Sequence, residues 1–65
     1  MENVIHEVTG FMTERPGHYE GEGIYEPTVY IGKQIVALGY GVSDPTHLSR
    51  MLKPGKKYRV RISEV

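Results

Sequence analysis

The dipeptide Gly32-Lys33, set between two runs rich in tyrosine and β-branched residues, constrains the fold of this chain more than any other feature. Glycine in the first position suits a two-residue type II′ turn, which joins adjacent antiparallel strands. With that reversal in place, cross-strand partners have residue numbers that sum to 65. Ile31 then faces Gln34, Val29 faces Val36, Pro27 faces Leu38 and Tyr25 faces Tyr40, all on one side of the sheet. The other side receives Tyr30 with Ile35, Thr28 with Ala37 and Glu26 with Gly39. One register thus gathers a nearly continuous apolar face, and a slip of one residue would scatter it. Pro27 fits this hairpin least, because proline donates no ladder bond and prefers an edge.

Eight glycines and five tyrosines favour short strands over long helices elsewhere in the chain. Val4, His6 and Val8 alternate with Ile5, Glu7 and Thr9, so residues 3–13 read as a first strand with His6 half-buried. Gly10 falls where the alternation loses phase before Phe11-Met12, as glycine does at a bulge or a barrel corner. Glu14-Arg15-Pro16-Gly17 is a turn. Residues 18–24 suit either a weakly paired strand or a loop, and Gly39-Tyr40-Gly41 suits a close backbone approach.

The spacing predicts one helix over about 45–53. Asp44 is its N-cap and Pro45 its first residue. Leu48, Met51 and Leu52 form its apolar stripe, and Arg50 and Lys53 lie in its last turn. Pro54-Gly55 stops it, and His47 falls in its exposed first turn. Residues 57–64 close the chain as a strand. Tyr58, Val60 and Ile62 point to the core, while Lys57, Arg59, Arg61 and Ser63 point outward.

Sixty-five residues make one domain. A chain of this size buries roughly 60% of its unfolded surface. A single core this thin supplies about 3–5 kcal/mol. Without cysteine no disulfide can add to that, so a homodimer is the expected supplement. The expected architecture is mostly β. It is a small five-stranded SH3-like or OB-like barrel with the short helix ahead of the last strand. An open sheet with the helix across one face is the alternative. The first residues lack the basic and apolar regions of a signal peptide. No stretch approaches the roughly 20 apolar residues of a membrane helix. A cytoplasmic protein that avoids membranes is therefore expected.

Eight basic and eight acidic residues cancel, yet they are segregated. Residues 1–32 hold six acids and one base, and residues 33–65 hold seven bases and two acids. The two halves either neutralise each other on folding or leave one surface basic and another acidic. Catalysis has little support. His18, Glu20 and Glu22 share one side of an extended segment but lack the closed ligand spacing of a zinc site, so no metal is expected. Ser43, Ser49 and Ser63 sit in no nucleophile motif, and a domain this small has little room for a pocket of about 300 Å³. Gly21-x-Gly23 lacks the context of a phosphate loop, and its acidic neighbours would repel phosphate. A non-catalytic binding domain without a cofactor is the expectation.

The sharper binding reading is nucleic acid. Lys57, Arg59 and Arg61 project from one face of the last strand, Lys53 and Lys56 lead into it, and Arg50 lies on the adjoining helix. Such a line of cations neutralises phosphates, and an outward Tyr30 stacks on a base. The run from Leu48 to Val60, with Leu52-Lys53-Pro54-Gly55-Lys56-Lys57 at its centre, resembles the helix-to-strand step of AbrB-type swapped-hairpin DNA-binding dimers over about a fifth of the chain. That resemblance implies a homodimer and DNA. The rival reading is a protein-interaction module, a regulator or inhibitor. It would act through the tyrosine-containing outer hairpin face of Thr28, Tyr30, Ile35 and Ala37, which is too apolar for bulk solvent.

Overall fold

A single long strand organises the chain. In the computed structural model, which describes residues 3–17, 26–39 and 45–65, β1 (Asn3–Arg15) runs for 13 residues. At about 3.4 Å per residue that is about 44 Å, nearly the whole 46 Å long axis of the molecule. β2 (Thr28–Ile31), β3 (Gln34–Ala37), the helix α1 (Leu48–Met51) and β4 (Lys57–Glu64) follow.

The four strands form one antiparallel sheet in the order β3-β2-β1-β4. The fold is predominantly β, as expected, but it is an open sheet and not a closed five-stranded barrel. The stagger along β1 is the reason. β4 pairs with its N-terminal part, from Asn3 opposite Glu64 to Phe11 opposite Lys57. β2 pairs with its C-terminal part, from Met12 opposite Ile31 to Arg15 opposite Thr28. Among the described residues β3 and β4 are therefore opposite edges. The segment 18–24 lies outside the described residues.

Gly10 sits at the changeover between the two pairings. A Cβ there would lie 2.7 Å from the Gly32 nitrogen and 2.8 Å from its Cα. The β2–β3 reversal is thus seated directly on β1 at this point, and only a residue without a side chain permits it. Gly32 has φ +60° and Lys33 has no positive φ, which matches the expected type II′ turn. Gly32 N–H continues the β1–β2 ladder by donating to Phe11 O at 3.0 Å. On the other side of β1, Met12 N–H donates to Lys56 O at 2.8 Å and Met12 O accepts from Gly55 N–H at 2.9 Å.

This seat buries the even-numbered side of β1. Met12, Val29 and Ile31 have no exposed surface, and Val8, Val36, Ala37, Leu52, Tyr58 and Val60 pack against them. Each fully buried side chain contributes about 1.5–3 kcal/mol relative to exposure. Tyr58 also accepts the Lys53 N–H on its hydroxyl at 2.9 Å, fixing the turn before β4.

The hairpin register holds next to the turn and shifts beyond it. Ile31 faces Gln34 and Tyr30 faces Ile35, but Val29 faces Ala37 instead of Val36. Two residues oppose one at this bulge. Val36 and Ala37 both reach the core, so Val29 and Val36 do share a side, while Ala37 leaves its expected outward position. Thr28 is buried as well, and its Oγ1 accepts the Gly39 N–H at 3.0 Å. Gly39 lies so close to residues 26–28 that a Cβ would meet the Glu26 carbonyl oxygen. The pairs Pro27–Leu38 and Glu26–Gly39 do not form, and Leu38 is exposed. Tyr25, Tyr40 and Gly41 lie outside the described residues.

The helix is four residues long, not nine. Pro45 and Thr46 form a turn, His47 is extended, and its side chain caps the helix at the Ser49 N–H. Leu52 is extended again, at φ −99° and ψ 155°, and Lys53 precedes a proline, which disfavours helix. Asp44 lies outside the described residues. Met51 is exposed, and Leu52 carries the contact with the core. A second bulge, between Val4 and His6, breaks the alternation near the start of β1. His6 is consequently exposed and not half-buried, with Nε2 2.7 Å from Gln34 Oε1.

Gly10→Ala should lower stability by about 1–3 kcal/mol through overpacking against the Gly32 backbone. Thr9→Ala, one residue away on the exposed side, should change it by less than about 0.5 kcal/mol. Urea denaturation of both variants checks this, and equal midpoints for the two would contradict the seat of the turn on Gly10.

Candidate functional site

The outward side of β1 faces the cations of β4 across the sheet. Glu7 lies opposite Arg61, Thr9 opposite Arg59 and Phe11 opposite Lys57. Directly opposite residues share a face. On the other flank of β1, Thr13 lies opposite Tyr30, and Tyr30 opposite Ile35. One outer surface therefore carries Phe11 and Tyr30 between Arg15 and the Lys57-Arg59-Arg61 line.

Phe11 is 59% exposed and Ile35 45%, both large apolar groups in solvent. Each aromatic ring has a cation beside it. The Lys57 ammonium lies 5.8 Å from the Phe11 centroid, and the Arg15 guanidinium lies 5.7 Å from the Tyr30 centroid. Exposed contacts of this kind contribute about 0.5–1 kcal/mol. Glu7 bridges two cations, with Arg59 Nε 3.2 Å from Oε1 and Arg61 Nε 3.3 Å from Oε2. These groups are solvent-exposed, so each pair contributes only about 0–1 kcal/mol. The part of the face built by β1, β2 and β4 thus sets four cations against one carboxylate.

The expected site residues separate on folding. Lys57, Arg59, Arg61 and Tyr30 share the outer face. Lys53 and Lys56 are exposed in the turn that leads into β4, where Lys56 N–H donates to Lys53 O at 3.2 Å. Arg50 is engaged elsewhere, donating from Nε and Nη2 to Glu26 Oε1 at 2.9 and 2.7 Å. Of the apolar set, Tyr30 and Ile35 remain outward while Thr28 and Ala37 are withdrawn. Phe11 and Arg15 were not singled out from sequence. The signal was present: Phe11 shares its parity with Glu7, Thr9, Thr13 and Arg15, the polar side of the strand.

A second polar cluster, also unforeseen, clasps α1 to the hairpin. His47 is only 6% exposed, the reverse of its expected exposure. Its Nε2–H donates to Leu38 O at 2.9 Å, which fixes the tautomer and leaves Nδ1 to accept the Ser49 N–H at 3.2 Å. The Ser49 hydroxyl lies 2.8 Å from His47 Nδ1 and 3.2 Å from Glu26 Oε2. Its single proton can serve only one of them. Glu26 is buried and takes the Arg50 fork. The contacts of His47 with Leu38 O and of Ser49 and Arg50 with Glu26 join the ends of the hairpin to the helix, so the chemistry of the cluster is that of a clasp. His18, Glu20 and Glu22 lie outside the described residues.

Glu26→Gln removes the charge that holds Arg50 and weakens the contact with Ser49. It should lower stability by about 1–3 kcal/mol. Arg61→Ala, on the exposed face, should change it by less than about 1 kcal/mol. Chemical denaturation compares the two, and a Glu26→Gln effect no larger than that of Arg61→Ala would contradict the clasp.

No helix among the described residues is long and apolar enough to cross a membrane. Set against known proteins, the chain matches no family model, no curated protein and no solved structure.

Proposed function

We propose that this protein is a non-catalytic binding domain whose outer sheet face takes nucleic acid. The observation that carries this reading is the interleaving of exposed cations and aromatic rings on one surface: Lys57 beside Phe11, Arg15 beside Tyr30, and Arg59 and Arg61 continuing the line. Cations alone would fit a merely solubilising strand. Aromatic rings left in water among them fit a ligand that offers both phosphates and flat π-faces. Net charge is zero over the whole chain, but binding depends on the local field, and the part of this face built by β1, β2 and β4 holds Glu7 as its one carboxylate among the described residues.

The second reading, a homodimer or protein interface centred on Tyr30 and Ile35, is favoured by the exposure of Ile35 directly across from Tyr30. It rests on a smaller patch than expected, since Thr28 and Ala37 face inward.

Fluorescence anisotropy of labelled oligonucleotides across a salt series tests the primary reading. Affinity should fall as salt rises, and each cation removed should reduce the slope of log K against log salt by about 0.7–0.9. Arg59→Glu with Arg61→Glu should abolish binding while the fold persists. Absence of binding by the unaltered protein at low salt would refute the reading. Binding unaffected by the double reversal would refute the site.

A further inference from the structure

We infer that the ligand of this face is single-stranded nucleic acid, with bases stacked on Phe11 and Tyr30 and with phosphates taking the place of the Glu7 carboxylate between Arg59 and Arg61. The inference rests on the nucleic-acid reading above and deepens it.

Phe11 supplies the first part of the argument. Its cross-strand neighbour on the β2 side is Gly32, whose N–H bonds to the Phe11 carbonyl and which has no side chain to cover the ring. The neighbour on the other side is Lys57, whose ammonium lies beside the ring. An aromatic ring is therefore left 59% exposed in mid-strand, beside a position that its positive φ reserves for glycine. Tyr30 stands on a diagonal from Phe11, being opposite Thr13, two residues further along β1. Such diagonal positions are roughly 7–8 Å apart, so the rings offer two separate platforms. Ring stacking needs a base whose face is free, and duplex bases are already stacked on each other. Among the described residues the single helix, of four residues, is clasped to the hairpin and does not offer a groove-reading element.

Charge placement supplies the second part. Lys57, Arg59 and Arg61 alternate along β4 at about 6.6–6.8 Å, a regular track beside the aromatic platforms. Glu7 currently satisfies two of these cations through their Nε atoms. A carboxylate shared by two exposed guanidinium groups occupies the position that a backbone phosphate, with the same single negative charge, would take. It is held loosely enough to be displaced. Glu7 thereby restrains binding and biases the face toward ligands that can outcompete it.

Anisotropy titrations with a short oligothymidylate, an oligouridylate and a duplex of the same length test the inference. The single strands should bind at least about tenfold more tightly than the duplex. Phe11→Ala should weaken single-strand binding at least about fivefold, the low end of the loss of one stacked base. Because Phe11 is exposed, the variant should keep the unfolding midpoint of the parent. Phe11→Leu, which keeps apolar bulk without a π-face, should resemble Phe11→Ala. Glu7→Gln should tighten binding by up to about fivefold. Duplex binding as tight as single-strand binding, with no effect of Phe11→Ala, would overturn this inference and leave the nucleic-acid reading standing. No tightening in Glu7→Gln would overturn the phosphate position. No binding to any of the three at low salt would overturn the nucleic-acid reading itself.

Discussion

Two glycines in van der Waals contact, Gly10 in the middle of β1 and Gly32 at the hairpin turn, hold the two halves of this sheet together. β1 is shared between β4 along one half and β2 along the other, and the changeover falls where the turn rests on the strand. Because the turn sits on the even-numbered side, Val8 and Met12 are driven inward with Tyr58, Val60, Val29 and Ile31. The odd-numbered side is driven outward by the same step. The exposure of Phe11 is thus a consequence of where the core can form. It also places Phe11 opposite Lys57, so one backbone contact decides both the core and the composition of the outer face.

The energetics of the two polar systems differ in kind. Glu26 is buried, accepts a forked guanidinium and lies within reach of Ser49, while His47 bonds to a main-chain carbonyl. Breaking any of these leaves a desolvated group without its partner, which makes the cluster a structural fixture. Glu7 with Arg59 and Arg61 is solvated and contributes little to folding. A thin core, with three fully buried apolar side chains among the described residues, needs the first system for stability. The second is free to exchange partners, and a binding surface benefits from that freedom.

Much of the framework was legible in the sequence because strand alternation and turn chemistry are local. The type II′ reversal at Gly32-Lys33, the first two cross-strand pairs, the inward Tyr58 and Val60 and the outward Lys57, Arg59 and Arg61 follow from residue spacing alone. Ile62, expected in the core, is instead 53% exposed, and Ser63, expected outward, is partly buried. The bulge at Val36-Ala37 does not follow from spacing: Gly39 signals a close backbone approach, but nothing local shows that it meets residues 26–28 or that the register shifts beside it. The helix was overestimated for a similar reason. Asp44-Pro45 is a sound start signal, yet the cap in use is the His47 side chain, held by a carbonyl nine residues back in the chain. The outer face was half legible. Its cations were plain, but Phe11 was read with the phase break at Gly10 and not with the polar side of its own strand.

The central claim is that the hairpin turn rests on β1 at Gly10, with Met12 inward and Phe11 outward beside it. Proton–proton Overhauser spectra of the free protein test it most directly. The account predicts a cross-peak between the Gly10 Hα protons and the Gly32 amide proton, strong contacts of the Met12 methyl with Ile31 and Val29, and none of these core contacts for the Phe11 ring. Contacts of the Phe11 ring with Val29 and Ile31, together with no Gly10–Gly32 cross-peak, would contradict it.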